Sequence, residues 1–213
     1  MIQKIFFRLM IACFLCVLFG CVSAPNQSSQ ISKPKKGKLY DKAIQKWTRE
    51  GRIYREFDLE LLVSATFRGS EYQAAYAQKY AHTYLLSSTD SYSLKQDQLK
   101  AAEEFIDFVM ATFIPDDLSS DFEKKDSTWK IYLTNDQHDR MDPIEIRRLD
   151  KKDPLILEFF PFVTPWRDVY QVRFSPYKPE SKERFILPAT RSVGLTITGI
   201  PGTCTLIWEL KGE

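Results

Sequence analysis

The sequence predicts an α+β protein: a mainly antiparallel β-sandwich of about eight strands, with two or three N-terminal helices packed against it. Helical periodicity is confined to the early part of the folded region, before residue 105. Beyond it, short apolar or alternating segments follow one another between turn signals rich in Pro, Gly and Asp. Helices therefore do not alternate with strands, which excludes the crossover units of a parallel doubly wound sheet. No repeat and no internal linker interrupts residues 39–213, so they are expected to form one domain, long enough to bury a substantial core.

The first helix is predicted over residues 39–50. Leu39, Tyr40, Ala43, Ile44 and Trp47 share one side of it, and Lys38, Lys42, Lys46 and Arg49 the other. Its apolar side either docks on the domain or lies in a membrane interface with Trp47 at headgroup depth. Gly51 is expected to end this helix. Residues 52–67 alternate as one long strand, with Phe57, Leu59, Leu61, Val63, Ala65 and Phe67 on the buried face. Glu56, Asp58, Glu60, Ser64, Thr66 and Arg68 fall on the wet face, which Leu62 alone interrupts.

Ser70 with Gln73 three residues on predicts a capping-box start for a helix reaching about residue 86. Tyr76, Tyr80 and Tyr84 recur on one side of it, as a packing face or as a ligand platform. A shorter helix is expected over 94–103, again started by a serine, Ser93. Residues 105–114 read as a strand covered on both faces. Further strands are predicted at 129–133, 144–149, 155–160, 169–174, 185–187, 193–198 and 203–210. Gly199-Ile200-Pro201-Gly202 joins the last two as a hairpin loop. Cys204, Leu206 and Trp208 share a face of the final strand, which makes Cys204 a packing residue.

The start of the chain has a different character. Lys4 and Arg8 precede an uncharged apolar run over residues 9–19, too short to span a bilayer and matched to the core of a secretory signal. The run ends in Leu18-Phe19-Gly20-Cys21, which resembles the lipobox of bacterial lipoproteins, with Phe19 bulkier than the usual residue at its position. The resemblance implies that residues 1–20 are removed and that Cys21 is lipidated through its thiol. Val22, where an Asp would imply inner-membrane retention, implies an outer-membrane address facing the periplasm. Residues 21–38 then form the lipidated cysteine and a polar Ser/Pro/Lys-rich tether, reaching roughly 20–25 Å as a flexible coil.

Charge and cysteine usage agree with this address. Lys and Arg number 30 against 28 acids. Removing the signal balances the two, and the basic excess that nucleic-acid binding needs is missing. Cys13 and Cys16 leave with the signal and Cys21 carries lipid, so Cys204 has no partner for a disulfide. The sequence carries no GxSxG, P-loop, GxGxxG or HExxH, and its two histidines, His82 and His138, lack a nucleophile setting.

Two segments remain as candidate sites. The loop 135–143 is the densest polar stretch. Its Asp136, His138, Asp139 and Asp142 could ligate a cation, although Asn and Asp also favour turns for backbone reasons. The aromatic segment 159–166 is broken by Pro161 and Pro165. It offers Phe160, Phe162 and Trp166 as partner-binding residues, or as rings closing one end of the sandwich. The expected role is that of a lipid-anchored binding or scaffolding module with no cofactor. Its partners would be the membrane, through lipid, and an envelope protein or glycan. The rival is a periplasm-facing hydrolase or carbohydrate-active enzyme working through paired carboxylates, of which Glu56, Asp58 and Glu60 are the kind of candidates a strand face readily offers.

Overall fold

The computed structural model describes residues 38–115 and 120–210; the signal segment, Cys21 and the tether lie outside the described residues. Two antiparallel sheets pack face to face. In chain order the elements are α1 (Lys38–Trp47), β1 (Thr48–Arg55), β2 (Asp58–Phe67), α2 (Ser70–Thr83), α3 (Ser88–Glu104), β3 (Ile106–Phe113), β4 (Lys130–Asn135), β5 (Arg140–Met141), β6 (Glu145–Leu149), α4 (Pro154–Phe159), β7 (Asp168–Phe174), β8 (Ser192–Gly199) and β9 (Gly202–Glu209). One sheet runs β1-β2-β3-β7-β6 and the other β5-β4-β8-β9. The predicted α+β sandwich is the observed architecture.

Aromatic rings fill the space between the sheets. Phe108 of the five-stranded sheet lies 5.1 Å from Trp208 of the other and 5.9 Å from Phe174, and Phe67 meets Trp208 at 6.5 Å. The indole N–H of Trp208 donates to the Trp47 carbonyl at 2.7 Å, tying the second sheet to the end of α1. The apolar side of α1 docks on the domain: Tyr40, Ala43, Ile44 and Trp47 are all buried, so Trp47 is part of the core and not of an outer surface.

Several boundaries differ from the sequence reading, each for a local reason. The helix stops at Trp47, and Gly51 lies in the middle of β1 opposite Val63. That position is glycine because β9 passes close by. A Cβ there would run into the Cys204 sulfur and come within 2.8 Å of Leu206 Cδ2. The single strand expected over 52–67 is a hairpin whose Arg55 pairs with Asp58, leaving Glu56 and Phe57 as a two-residue turn. Glu56 adopts a positive φ of 56°, so the turn carries no glycine to announce it. Phe57, assigned to the core face, is 98% exposed.

Helix α2 begins at Gly69 with no side-chain cap. Gln73 is buried, so the expected capping box is absent. Helix α3 starts six residues before the predicted start, where Ser87 accepts from the Asp90 amide. Residues 185–187 form no strand; the neighbouring pairing is a single Tyr177–Arg184 bridge. The apolar run assigned to a strand at 155–160 is helix α4. Asp153 caps it by accepting from the Leu155 amide, and Pro154 sits in its first turn. This Asp-Pro start outweighs the apolar run, because Pro pre-sets a helical φ and lacks only an N–H that the first turn leaves free.

Candidate functional site

The register of the five-stranded sheet sets out a row of charges on the face away from the second sheet. Arg68, just past β2, donates its backbone N–H to the carbonyl of Asp107 in β3; Asp107 pairs with Arg173 of β7, and Arg173 with Glu145 of β6. Signs therefore alternate across four strands, as cross-strand neighbours favour. Two residues along, Gln171 pairs with Arg147. Above this end of the sheet a cleft of about 530 Å³ opens, with Val109 in its floor and Tyr76, Leu155, Ile156, Phe159 and Phe160 among its lining.

Buried tyrosines hold α4, with its Phe159, as the wall of this cleft. The Tyr40 hydroxyl donates to the Phe159 carbonyl and lies 3.0 Å from the Tyr72 hydroxyl. Phe159 packs 4.5 Å from Tyr76 and edge-on to Tyr40 at 5.5 Å, and Phe160 stacks on Tyr72 at 6.3 Å. Burial pushes the Tyr40 and Tyr72 phenols far above their ordinary pKa, so both remain neutral hydrogen-bonding groups.

Asp107 is the buried charge of the site. Arg68 Nη1 donates to its carboxylate at 2.8 Å, Gln171 Nε2 at 2.9 Å, and Arg173 Nε stands 3.9 Å away. Burial raises its pKa above the usual carboxylate value, while Arg68, Gln171 and Arg173 pull it back. Gln171 is held amide-first on Asp107, which turns its carbonyl oxygen to Arg147 Nη2 at 2.6 Å. Arg173 Nη1 donates to Glu145 at 3.1 Å. The Nε atoms of Arg68 and Arg173 are buried and have no hydrogen-bond acceptor among the described residues.

The sequence-predicted candidates scatter. Phe160 is buried and lines the cleft, Phe162 is half-buried 5.9 Å from it, and Trp166 is 79% exposed. The polar loop is a turn built around Asn135, whose Oδ1 accepts from the amides of Gln137 and Asp139. Asp139 pairs with Lys178 at 2.9 Å, Asp136 accepts from the Arg191 amide, Asp142 faces Arg140 at 3.7 Å, and His138 is exposed at a positive φ of 65°. No group of three or more His, Cys, Asp or Glu among the described residues could hold a metal ion. The bond to Lys178 holds the Asp139 carboxyl below its ordinary value, with Asn135 assisting. Glu60 is paired with Arg55 at 2.7 Å, and neither it nor Glu56 nor Asp58 lines the cleft. Tyr76 and Tyr80 pack on the core, whereas Tyr84 is exposed. Cys204 packs partly buried beside Gly51, and burial raises its thiol pKa.

Sequence reasoning singled out none of Arg68, Asp107, Arg147, Gln171 and Arg173 as site residues; it placed Arg68 only on the wet face of its strand, and Gln171 and Arg173 only on a shared face of the strand over 169–174. The one signal available was an acid inside an otherwise apolar strand, Asp107 within residues 105–114, since a buried carboxylate requires a cationic or amide partner. No family model matches the chain, and neither a curated protein nor a solved structure matches it.

Proposed function

We propose that this protein is a bacterial lipoprotein, held through acylated Cys21 at the outer membrane and facing the periplasm, whose sandwich domain works as a binding module for envelope components. The address is supported by the charged start, the apolar run and Leu18-Phe19-Gly20-Cys21. The observation that carries the binding role is the cleft over Asp107. It is concave, partly apolar in its walls, and has a few convergent polar groups at one end, as ligand sites have. The exposed Trp166 offers a second contact, to an envelope protein or glycan. A single acyl chain binds membranes only marginally, so the durable anchoring proposed here requires the several chains of a mature lipoprotein. No helix among the described residues is long and apolar enough to cross a membrane.

Mass spectrometry of the protein recovered from cells tests the address. The expected species begins at an acylated Cys21 and sediments with membrane, while Cys21→Ala is recovered in the soluble fraction. A bare thiol on the processed chain, or retention of residues 1–20, overturns the anchor. Affinity capture from intact cells tests the module. An envelope protein or glycan is expected with the wild type and is expected to be depleted with Trp166→Ala; unchanged capture by that variant removes Trp166 from the contact.

A further inference from the structure

We infer that the helical face of the domain, at the groove between α1 and α3, seats on an anionic phospholipid surface. The inference rests on the lipoprotein reading and adds which face of the domain meets the bilayer and which headgroup charge it selects.

Helix α2 packs against both α1 and α3, and the valley between the outer two is a groove of about 790 Å³. Ala74, Ala77 and Ala81 of α2 line its apolar bed. Leu39 of α1 and Tyr92 of α3 line its sides and are 58% and 68% exposed. Helix α3 runs for 17 residues and buries none of its side chains. A helix of that length on a globular domain ordinarily hides an apolar stripe. The groove and the open side of α3 thus present apolar surface, and tyrosine is a residue that favours the boundary between hydrocarbon and water.

The charges around the groove favour a negative surface. Lys42 and Lys46 line it from α1 and Lys95 from α3, and Glu71 is the only acid among its described lining residues. Lys46 pairs with Glu71 at 2.6 Å; both keep their charge, and the lining stays net positive. Lys42 and Lys95 are exposed and make no ion pair among the described residues. The other acids nearby on these helices point elsewhere. Asp41 lies about 200° around α1 from Leu39, Asp90 about 200° around α3 from Tyr92, and Asp97 about 200° from Lys95. None of the three lines the groove. Lys38 is exposed at the start of α1, and the sequence places Lys33, Lys35 and Lys36 just before it. Basic clusters beside a lipid anchor are drawn to anionic leaflets, and lysine stems can lie on apolar surface while the ammonium reaches a headgroup phosphate. Only 16 residues separate Cys21 from Lys38, so α1 is the first element of the domain that the tether brings to the membrane. Trp47 takes no part, because it is buried in the core; the lysine side of α1, with Leu39 at its margin, meets the lipid.

Lysine footprinting of the protein recovered from cells tests this. The protein is placed on vesicles of equimolar phosphatidylglycerol and phosphatidylcholine, or of phosphatidylcholine alone, acetylated at its amines and read by mass spectrometry. Acetylation of Lys42 and Lys95 is expected to fall about fivefold or more on the anionic vesicles relative to the neutral ones, the order of effect of one cation beside a charged leaflet. Lys130 and Lys182, exposed outside the helices, should be labelled equally on both. Molar salt should remove the protection, because it shortens the screening length to about 3 Å. Lys95→Glu changes an exposed side chain across the groove from Lys42, so the melting temperature should stay close to the wild-type value while Lys42 regains much of its labelling. Equal labelling of Lys42 and Lys95 on the two vesicles, protection of Lys130 and Lys182 in their place, protection that salt leaves unchanged, or full protection of Lys42 in Lys95→Glu overturns the inference. Protection in intact cells that anionic vesicles fail to reproduce also overturns it and assigns the face to an acidic protein partner. The footprint reads the surface and not the anchor. With a bare Cys21, salt-sensitive protection on anionic vesicles still upholds this inference, whereas an acylated Cys21 with equal labelling refutes this inference alone.

Discussion

Replacing Gly51 by alanine tests how the two sheets approach each other. Gly51 lies in β1 with an ordinary strand φ, so the position needs glycine for space and not for backbone conformation. An added Cβ would overlap the Cys204 sulfur and sit 2.8 Å from Leu206 Cδ2, with Val63 Cγ1 in ordinary contact at 3.7 Å. Overpacking of this kind costs about 1–3 kcal/mol. Exchanging glycine for alanine within a strand returns about 0.5–1 kcal/mol of backbone entropy. The net expectation is a loss of about 1–2 kcal/mol, or roughly 2–8 °C in Tm for a domain of this size. Urea unfolding of Gly51→Ala, Cys204→Ala and the double variant measures it. Removing the sulfur opens the space the new Cβ needs, so the double variant should be at least about 0.5 kcal/mol more stable than the sum of the single losses predicts. Had Gly51 been a helix C-terminus, the cost would arise from a left-handed φ and would not depend on position 204. A neutral Gly51→Ala, or strictly additive losses, refutes the close approach of β1 and β9.

Trp208→Ala removes a fully buried indole packed on Phe67 and Phe108 and leaves the Trp47 carbonyl without its donor; a loss of about 3–5 kcal/mol is expected in the same assay, and a loss under about 1 kcal/mol contradicts the core described here. Asp107 has its pKa raised by burial, so its contribution to stability is fully present below the ordinary carboxylate value and is lost as pH rises through the raised folded-state value. Asp107→Asn should therefore flatten that fall across the acidic range, and an unaltered pH profile counts against a buried carboxylate. Asp168 behaves oppositely. Burial pushes its pKa up, but the Ser120 hydroxyl, Lys151 and Arg148 bring it below the ordinary value, so its stabilisation is present above that value and is lost as pH falls through the lowered one. Asp168→Asn should reduce acid unfolding seen by circular dichroism, and an identical acid limb contradicts this. Millimolar calcium should leave Tm unchanged, because Lys178 and backbone amides engage the acids of the 135–143 turn; a rise reversed by chelator would restore the loop as a cation site.

Sequence reading succeeded where the determinant is local. The buried run of β3, the alternation of β7 and the hairpin joining β8 to β9 through Ile200 and Pro201 follow from side-chain period and turn chemistry acting within a few residues. The apolar arc of α1 was legible for the same reason. The reading failed where a local signal was silent or outvoted. The β1–β2 turn at Glu56 has no glycine, and the Phe57–Leu59–Leu61 alternation runs straight through it. The run 155–160 offered enough apolar residues to resemble a strand, although Asp153 and Pro154 carried the helix start.

The amino-acid order alone determined the α+β class and most of the strands, because each depends on neighbours within a few residues. The tertiary structure decided the cleft. Arg68, Asp107, Arg147 and Arg173 come from four separate stretches of chain, and only the register of β2, β3, β7 and β6 sets them in adjoining rows. Strand register is fixed by which faces can be buried together and by how far apart the sheets can stand, and those are properties of the whole packed molecule.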